Sequence, residues 1–127
     1  MNDPHFGFFD FESLELYQKS LDYNSFVHDL IIRFPKEERF ELRSQLNRAT
    51  ISISLNIAEG YGESIPLALR YLRIARGSIR ECLACSTIAF RRGYIDEQRY
   101  KESRALLIEL SKMAAGYKKY LNRKLNK

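Results

Sequence analysis

Between Gln45 and Gly60 the chain carries apolar residues on two sides of a helical pattern with an ordered polar row between them. Few folds accommodate such a segment. At about 100° per residue, Gln45, Arg48, Ser52, Asn56 and Glu59 share one sector. Leu46, Ala49, Ile53 and Ile57 flank it on one side, and Ile51, Leu55 and Ala58 on the other. A surface helix of a monomer needs a single apolar stripe. This helix is therefore either central to a core or shared between its own bundle and a partner subunit.

Three further segments have the same period. Phe11 to about Arg33 repeats Leu14, Tyr17, Leu21, His28 and Ile32 at helical spacing, and Phe34-Pro35 ends the pattern because the residue before proline is driven from the helical region. The second helix is expected from about Lys36 to Glu59. Glu37, Glu38 and Glu41 lie in its first turns, where the helix dipole favours negative charge, and Gly60 is its expected stop. Ser64 and Pro66 open a third helix over roughly 65–92, whose inner face is Ala68, Leu72, Ala75, Ile79, Cys82, Ser86, Ala89 and Phe90 before Gly93. Asp96 caps a fourth, with Ser103, Leu106, Leu107, Leu110, Ala114, Tyr117 and Leu121 inward and fraying near Asn122. Helices of roughly 23–28 residues joined by short connections must run antiparallel. The expected fold is an all-α, up-down-up-down four-helix bundle: a loose N-terminal arm over 1–10 and one domain over 11–127.

A chain of 127 residues can bury a core without disulfides or metals. No apolar run approaches the roughly 18 residues of a membrane span, and Met1 to Asp10 lacks the basic start and long apolar segment of a secretory leader. A cytoplasmic location with no membrane partner is expected. Cys82 and Cys85, spaced three apart with no third cysteine, suit small core residues in a reducing compartment better than a zinc site. The only histidines, His5 and His28, follow no Glu-x-x-His pattern of a bundle di-iron site. His28 is expected inside, hydrogen-bonded. No Ser-His-Asp or Cys-His set has both spacing and context, and the Gly60-Tyr61-Gly62 turn is too slight for a phosphate loop. A non-enzymatic protein without cofactor or metal is expected.

Charge is unevenly distributed. Residues 1–63 hold 6 Lys+Arg against 11 Asp+Glu, and residues 64–127 hold 15 against 5, so the halves stand at −5 and +10. Either the halves attract each other within the fold or an oligomer, the favoured explanation, or the basic half meets an acidic partner. Arg70, Arg73, Arg76 and Arg80 occupy a sector of roughly 120° on the third helix, with Arg91 returning to the same side. The last 18 residues add Lys112, Lys118, Lys119, Arg123, Lys124 and Lys127, with Tyr117 and Tyr120 among them. Such mixtures neutralise phosphates and stack on unpaired bases, although a solvated face is the plainer use of the same residues. The helix 2 row, Gln45, Arg48, Ser52, Asn56 and Glu59, is likewise either a ligand strip or a set of mutually satisfied polar groups at a subunit contact. The second is favoured because buried polar networks fix register and oligomer state. Arg48 and Glu59 are the members expected to lose most if stripped of partners.

The run Phe34-Pro35-Lys36-Glu37-Glu38-Arg39-Phe40-Glu41-Leu42, with Gln45, Arg48-Ala49, Ser52-Ile53 and Asn56-Ile57-Ala58-Glu59-Gly60, resembles the bacterial four-helix-bundle family called S23 or 23S rRNA intervening-sequence proteins. Tyr71-Leu72, Ile74-Ala75, Gly77-Ser78-Ile79, Glu81 and Gly93-Tyr94-Ile95 continue the match. The resemblance implies a small helical protein that closes into ring-like homo-oligomers, with five subunits the expected number. It also implies likeness in architecture to the accessory variability proteins of reverse transcriptases in diversity-generating elements. The tie to ribosomal RNA is genetic, through reading frames inside rRNA gene insertions. Together these readings predict a homo-oligomeric bundle that binds RNA or DNA through Arg70, Arg73, Arg76, Arg80, Lys118, Lys119, Arg123 and Lys124. The alternative is an interaction scaffold for an acidic protein, and a small-molecule-binding bundle comes third.

Overall fold

The computed structural model describes residues 7–38 and 41–126. Among these, four α-helices follow one another: α1 (Glu15–Ile31), α2 (Glu41–Gly60), α3 (Ile65–Arg91) and α4 (Glu97–Leu125). Short 3-10 turns at Asp10–Ser13 and Lys36–Glu38 precede α1 and α2. Each helix packs on the next and α4 closes on α1, with α2 against α3 the most extensive pairing. This is the expected all-α four-helix bundle. Most of the N-terminal arm, including His5, lies outside the described residues, as do Arg39 and Phe40 at the start of the expected second helix.

The core is built from Leu46, Ala49, Ile53 and Ile57 of α2, Leu72, Ala75, Ile79 and Cys82 of α3, and Leu107, Leu110, Ala114 and Leu121 of α4, all buried. These are most of the inner faces read from the sequence, although Leu106 and Tyr117 are half-buried and Phe90 stays partly exposed and stacks on Tyr100. Cys82 and Cys85 are buried free thiols, and burial pushes the Cys85 thiol up to about 11. Asp96 caps α4 by accepting from the Arg99 amide at 2.8 Å. Gly93, at φ 75°, turns the chain out of α3.

α1 departs from expectation. Its buried face is Leu16, Ser20, Tyr23, Val27 and Leu30, whereas Leu14, Tyr17 and Leu21 are half-buried, His28 is exposed and Ile32 is 69% exposed. His28 is therefore not a core residue. The misleading residue is Ser20, which sits at the centre of the true face at 0% exposure. Its hydroxyl donates to the Tyr17 carbonyl at 2.6 Å and shares a hydrogen bond with Ser54 at 2.8 Å, and Asn24 Nδ2 donates to Ser54 Oγ at 2.8 Å. A serine so satisfied costs the core little. A second hydroxyl chain crosses the interior from Tyr23 of α1 to Ser103 of α4 (2.9 Å), on to Ser86 of α3 (2.8 Å), whose hydroxyl also reaches the Cys82 carbonyl (2.9 Å).

Gly60 does not end α2 by relaxing the backbone. It is the last residue of the helix, buried, and a Cβ there would stand 2.8 Å from Tyr71 Cβ and 3.4 Å from the Ala68 backbone. The glycine lets α3 approach α2, and the left-handed residue that reverses the chain is Gly62, at φ 84°. Gly77, inside α3, meets nothing within 4 Å of its missing Cβ. The two glycines should respond oppositely to alanine. Gly60→Ala overpacks the α2–α3 contact and should lower stability by about 1–3 kcal/mol. Gly77→Ala should raise it by about 0.5–1 kcal/mol through helix propensity. Thermal melts of both variants check the pair.

Candidate functional site

The periodicity of α3 sends Ala68, Leu72, Ala75 and Ile79 inward and turns the arginine sector toward the outer seam with α4. There a groove of about 570 Å³ opens, with Leu69 and Leu72 as its apolar floor. Arg73, Arg76 and Arg80 enter it from α3, and Lys118 and Asn122 from α4. The bare Cα of Gly77 leaves the middle of the groove open. No carboxylate lines it. Among the described residues none of these four cations makes an ion pair; Arg73, Arg80 and Lys118 are exposed and Arg76 is half-buried.

The eight expected phosphate-binding residues therefore divide. Arg73, Arg76, Arg80 and Lys118 converge on the groove, and Lys124 lines a second cavity. Arg70, Lys119 and Arg123 are exposed and line neither. Among the described residues, no ion pair within the chain joins a cation of the basic half to a carboxylate of the acidic half. Arg43–Glu38, Arg99–Asp96 and Lys101–Glu97 are local. Lys19–Glu109, at 3.4 Å, joins a lysine of the acidic half to a glutamate of the basic half.

The second cavity, also about 570 Å³, lies where the Asp10–Leu14 segment, the α2–α3 turn and the end of α4 meet. Tyr61, Tyr117 and Tyr120 line it together with Asp10, Glu63 and Lys124. The Tyr117 and Tyr120 rings lie 6.3 Å apart and within 16° of parallel, and Lys124 Nζ sits 5.2 Å from the Tyr120 centroid. Burial pushes the Tyr117 hydroxyl up, and the neighbouring Tyr61 and Tyr120 hydroxyls add to it. Gly62 brings the turn close to Asp10: a Cβ there would lie 3.2 Å from the carboxylate. Sequence reasoning found Tyr117 and Tyr120 beside the basic residues but missed Asp10, Tyr61 and Glu63. Their only signal was a tyrosine and an acid flanking a turn glycine.

The polar row of α2 is satisfied mostly within the chain. Gln45 donates to Glu81 of α3, Ser78 donates to Ser52 Oγ at 2.9 Å, and Asn56 Nδ2 donates to the Ser52 carbonyl and hydroxyl at 2.8 and 3.0 Å. Arg48 and Glu59 are exposed and, among the described residues, take part in no ion pair. They are not the members that the folded chain depends on. Arg48→Ala should therefore shift stability by no more than about 0.5 kcal/mol, whereas Asn56→Leu removes two hydrogen bonds and should cost about 0.5–1.5 kcal/mol. Urea titrations at one protein concentration separate the two.

A four-helix bundle whose α3–α4 face carries unpaired cations, and whose described residues gather no three potential metal ligands, defines a small all-α protein with a basic outer groove. The family model of the 23S rRNA-intervening sequence protein matches residues 12–116. The chain belongs to that family. Its fold is similar to the crystal structure of a protein of unknown function from the S23 ribosomal protein family of Bacteroides thetaiotaomicron. The TM-score is 0.76 at 24% identity, covering 82% of this chain and 98% of that one. No curated protein matches the chain. Of the groove residues, Arg73, Arg76 and Arg80 fall within the family match, whereas Lys118 and Asn122 lie beyond it. Among the described residues no helix is long and apolar enough to cross a membrane.

Proposed function

We propose that this chain is a non-enzymatic, self-assembling helical bundle that holds RNA or DNA by its phosphates along the α3–α4 groove. The observation that carries the proposal is the convergence of Arg73, Arg76, Arg80 and Lys118 on one groove with no lining carboxylate. Guanidinium groups suit phosphate oxygens in a forked geometry. Nothing in the groove orders them to read base edges, so binding is weakly sequence-specific and salt-sensitive.

Self-assembly is supported by apolar residues that the bundle leaves outside its own core. Ile51 and Leu55 of α2 are 40% and 63% exposed, and Ile74 and Ile88 of α3 are 44% and 40% exposed. Closure of these faces on neighbouring copies generates a ring, with five subunits the expected number, and repeats the groove around it so that weak patches act together. The cytoplasm is the expected compartment.

The test combines light scattering with fluorescence anisotropy on single- and double-stranded RNA and DNA at low salt. The expected outcome is a molar mass near five times the 15.0 kDa of one chain and affinity that falls steeply with added salt. A monomer at micromolar concentration rejects the assembly. Failure to bind any nucleic acid at low salt, with retention of an acidic protein instead, transfers the groove to the interaction-scaffold alternative.

A further inference from the structure

We infer that the cavity at the end of the bundle, between the Asp10–Leu14 segment, the α2–α3 turn and the last turns of α4, takes a guanine nucleotide. Its base stacks on the tyrosines, its donor edge meets a carboxylate, and its phosphate meets Lys124. This rests on the reading of the neighbouring groove as a phosphate track, since the nucleotide is either the unpaired end of a bound strand or the free mononucleotide.

The chemistry comes from the walls. At about 570 Å³ the space falls within the roughly 300–1,000 Å³ of small-molecule sites. Tyr61 and Tyr117 are half-buried and Tyr120 is 51% exposed, so part of each aromatic side chain is accessible at the cavity, and unpaired bases stack on aromatic rings. Asp10 and Glu63 are exposed at the same cavity. Among the described residues neither is in an ion pair. An ionised carboxylate offers two acceptors and no donor. Guanine alone among the four bases sets two neighbouring donors, N1–H and the 2-amino group, on its Watson–Crick edge. Adenine and cytosine place a ring nitrogen acceptor beside their amino group, and uracil flanks its single N–H with two carbonyls, so each of these turns an acceptor toward the carboxylate. Lys124, already 5.2 Å from the Tyr120 ring centroid, supplies the cation that a phosphate attached to the stacked base requires.

Isothermal titration of the intact protein with GMP, IMP and AMP tests the site, because IMP lacks only the 2-amino donor. GMP is expected to bind at least tenfold more tightly than either of the others. Asp10→Asn with Glu63→Gln should lower GMP affinity at least tenfold while leaving melting unchanged. In parallel, a 12-nucleotide single strand containing guanines is compared with its adenine counterpart and with a duplex. Tyr120→Leu, at an exposed position, should weaken the guanine strand about tenfold and leave the duplex unaffected.

Equal affinity for GMP and AMP, or indifference to the carboxylate variants, overturns the site. Strand binding through the groove without any guanine preference, but with GMP retained, assigns the cavity to the free nucleotide. GMP binding by a protein that holds no strand at all supports the cavity and rejects the groove. Strand binding with no GMP discrimination rejects the cavity alone.

Discussion

Reversing Arg73 and Arg76 together to glutamate is expected to weaken single-stranded RNA binding by more than about 100-fold near physiological salt. The slope of log affinity against log salt should fall by about 1.4, because each phosphate contact on a single strand contributes about 0.7. Both side chains line the α3–α4 groove, whose floor is Leu69 and Leu72 and whose opposite wall carries Lys118. Two reversed charges there leave Arg80 and Lys118 facing like-signed repulsion of the strand from the same walls. Lys119→Glu is the control. Lys119 is exposed and lines neither cavity, so salt screening should hold its effect below about fivefold. Anisotropy titrations at several salt concentrations measure both quantities. Equal losses in the two variants would mean that net charge, and not the groove, governs binding.

The second large effect separates the two apolar sides of α2. Leu46 is fully buried, and Leu46→Ala should cost about 2–5 kcal/mol as lost transfer energy and a residual cavity. Leu55 is 63% exposed, and Leu55→Ser should leave the stability of the isolated fold within about 0.5 kcal/mol while lowering the molar mass of the assembly. Because oligomerisation raises apparent stability by mass action, denaturation curves need one protein concentration, with light scattering alongside. An unchanged molar mass in Leu55→Ser would show that the second side of α2 does not bind another copy.

How far the fold was legible differs from helix to helix, for physical reasons. α3 and α4 are readable because their inner positions are almost all aliphatic or small, punctuated by Pro66, Gly93 and Asp96 at the ends. α1 misleads because its buried face includes Ser20 and Tyr23, whose polar atoms are satisfied by residues 34 and 80 positions away. No local pattern announces partners at such separations. The leucines and Tyr17 that suggested the wrong face are half-buried, so the helix has apolar residues on both sides and periodicity alone cannot choose between them. Gly60 was legible as a special position but not in its role, since the crowding comes from Tyr71 on the next helix.

The candidate site shows the same division. The arginine stripe is a property of one helix and could be read directly. That Lys118, and not Lys119 or Arg123, completes the groove depends on the rotation of α4 against α3, and that Asp10 and Glu63 share a cavity with Tyr117 depends on closure of the bundle. The charge imbalance was visible in the sequence, but its explanation was not. Among the described residues of one chain, no ion pair joins a cation of the basic half to a carboxylate of the acidic half.

The hydroxyl chain across the interior limits the order in which descendants of this sequence can lose it. Ser103 stands in the middle, bonded to Tyr23 on one side and Ser86 on the other, while Ser86 keeps a second partner in the Cys82 carbonyl. If Ser103 became alanine first, the Tyr23 hydroxyl would lose its 2.9 Å partner in a position with no exposure to water and would be left with Ser86 alone. Tyr23→Phe first leaves every remaining hydroxyl paired, after which Ser103→Ala and then Ser86→Ala can follow without orphaning a neighbour. The interior thus has a free end and a fixed end. Sequence drift unravels it with least disturbance one hydroxyl at a time, starting from α1.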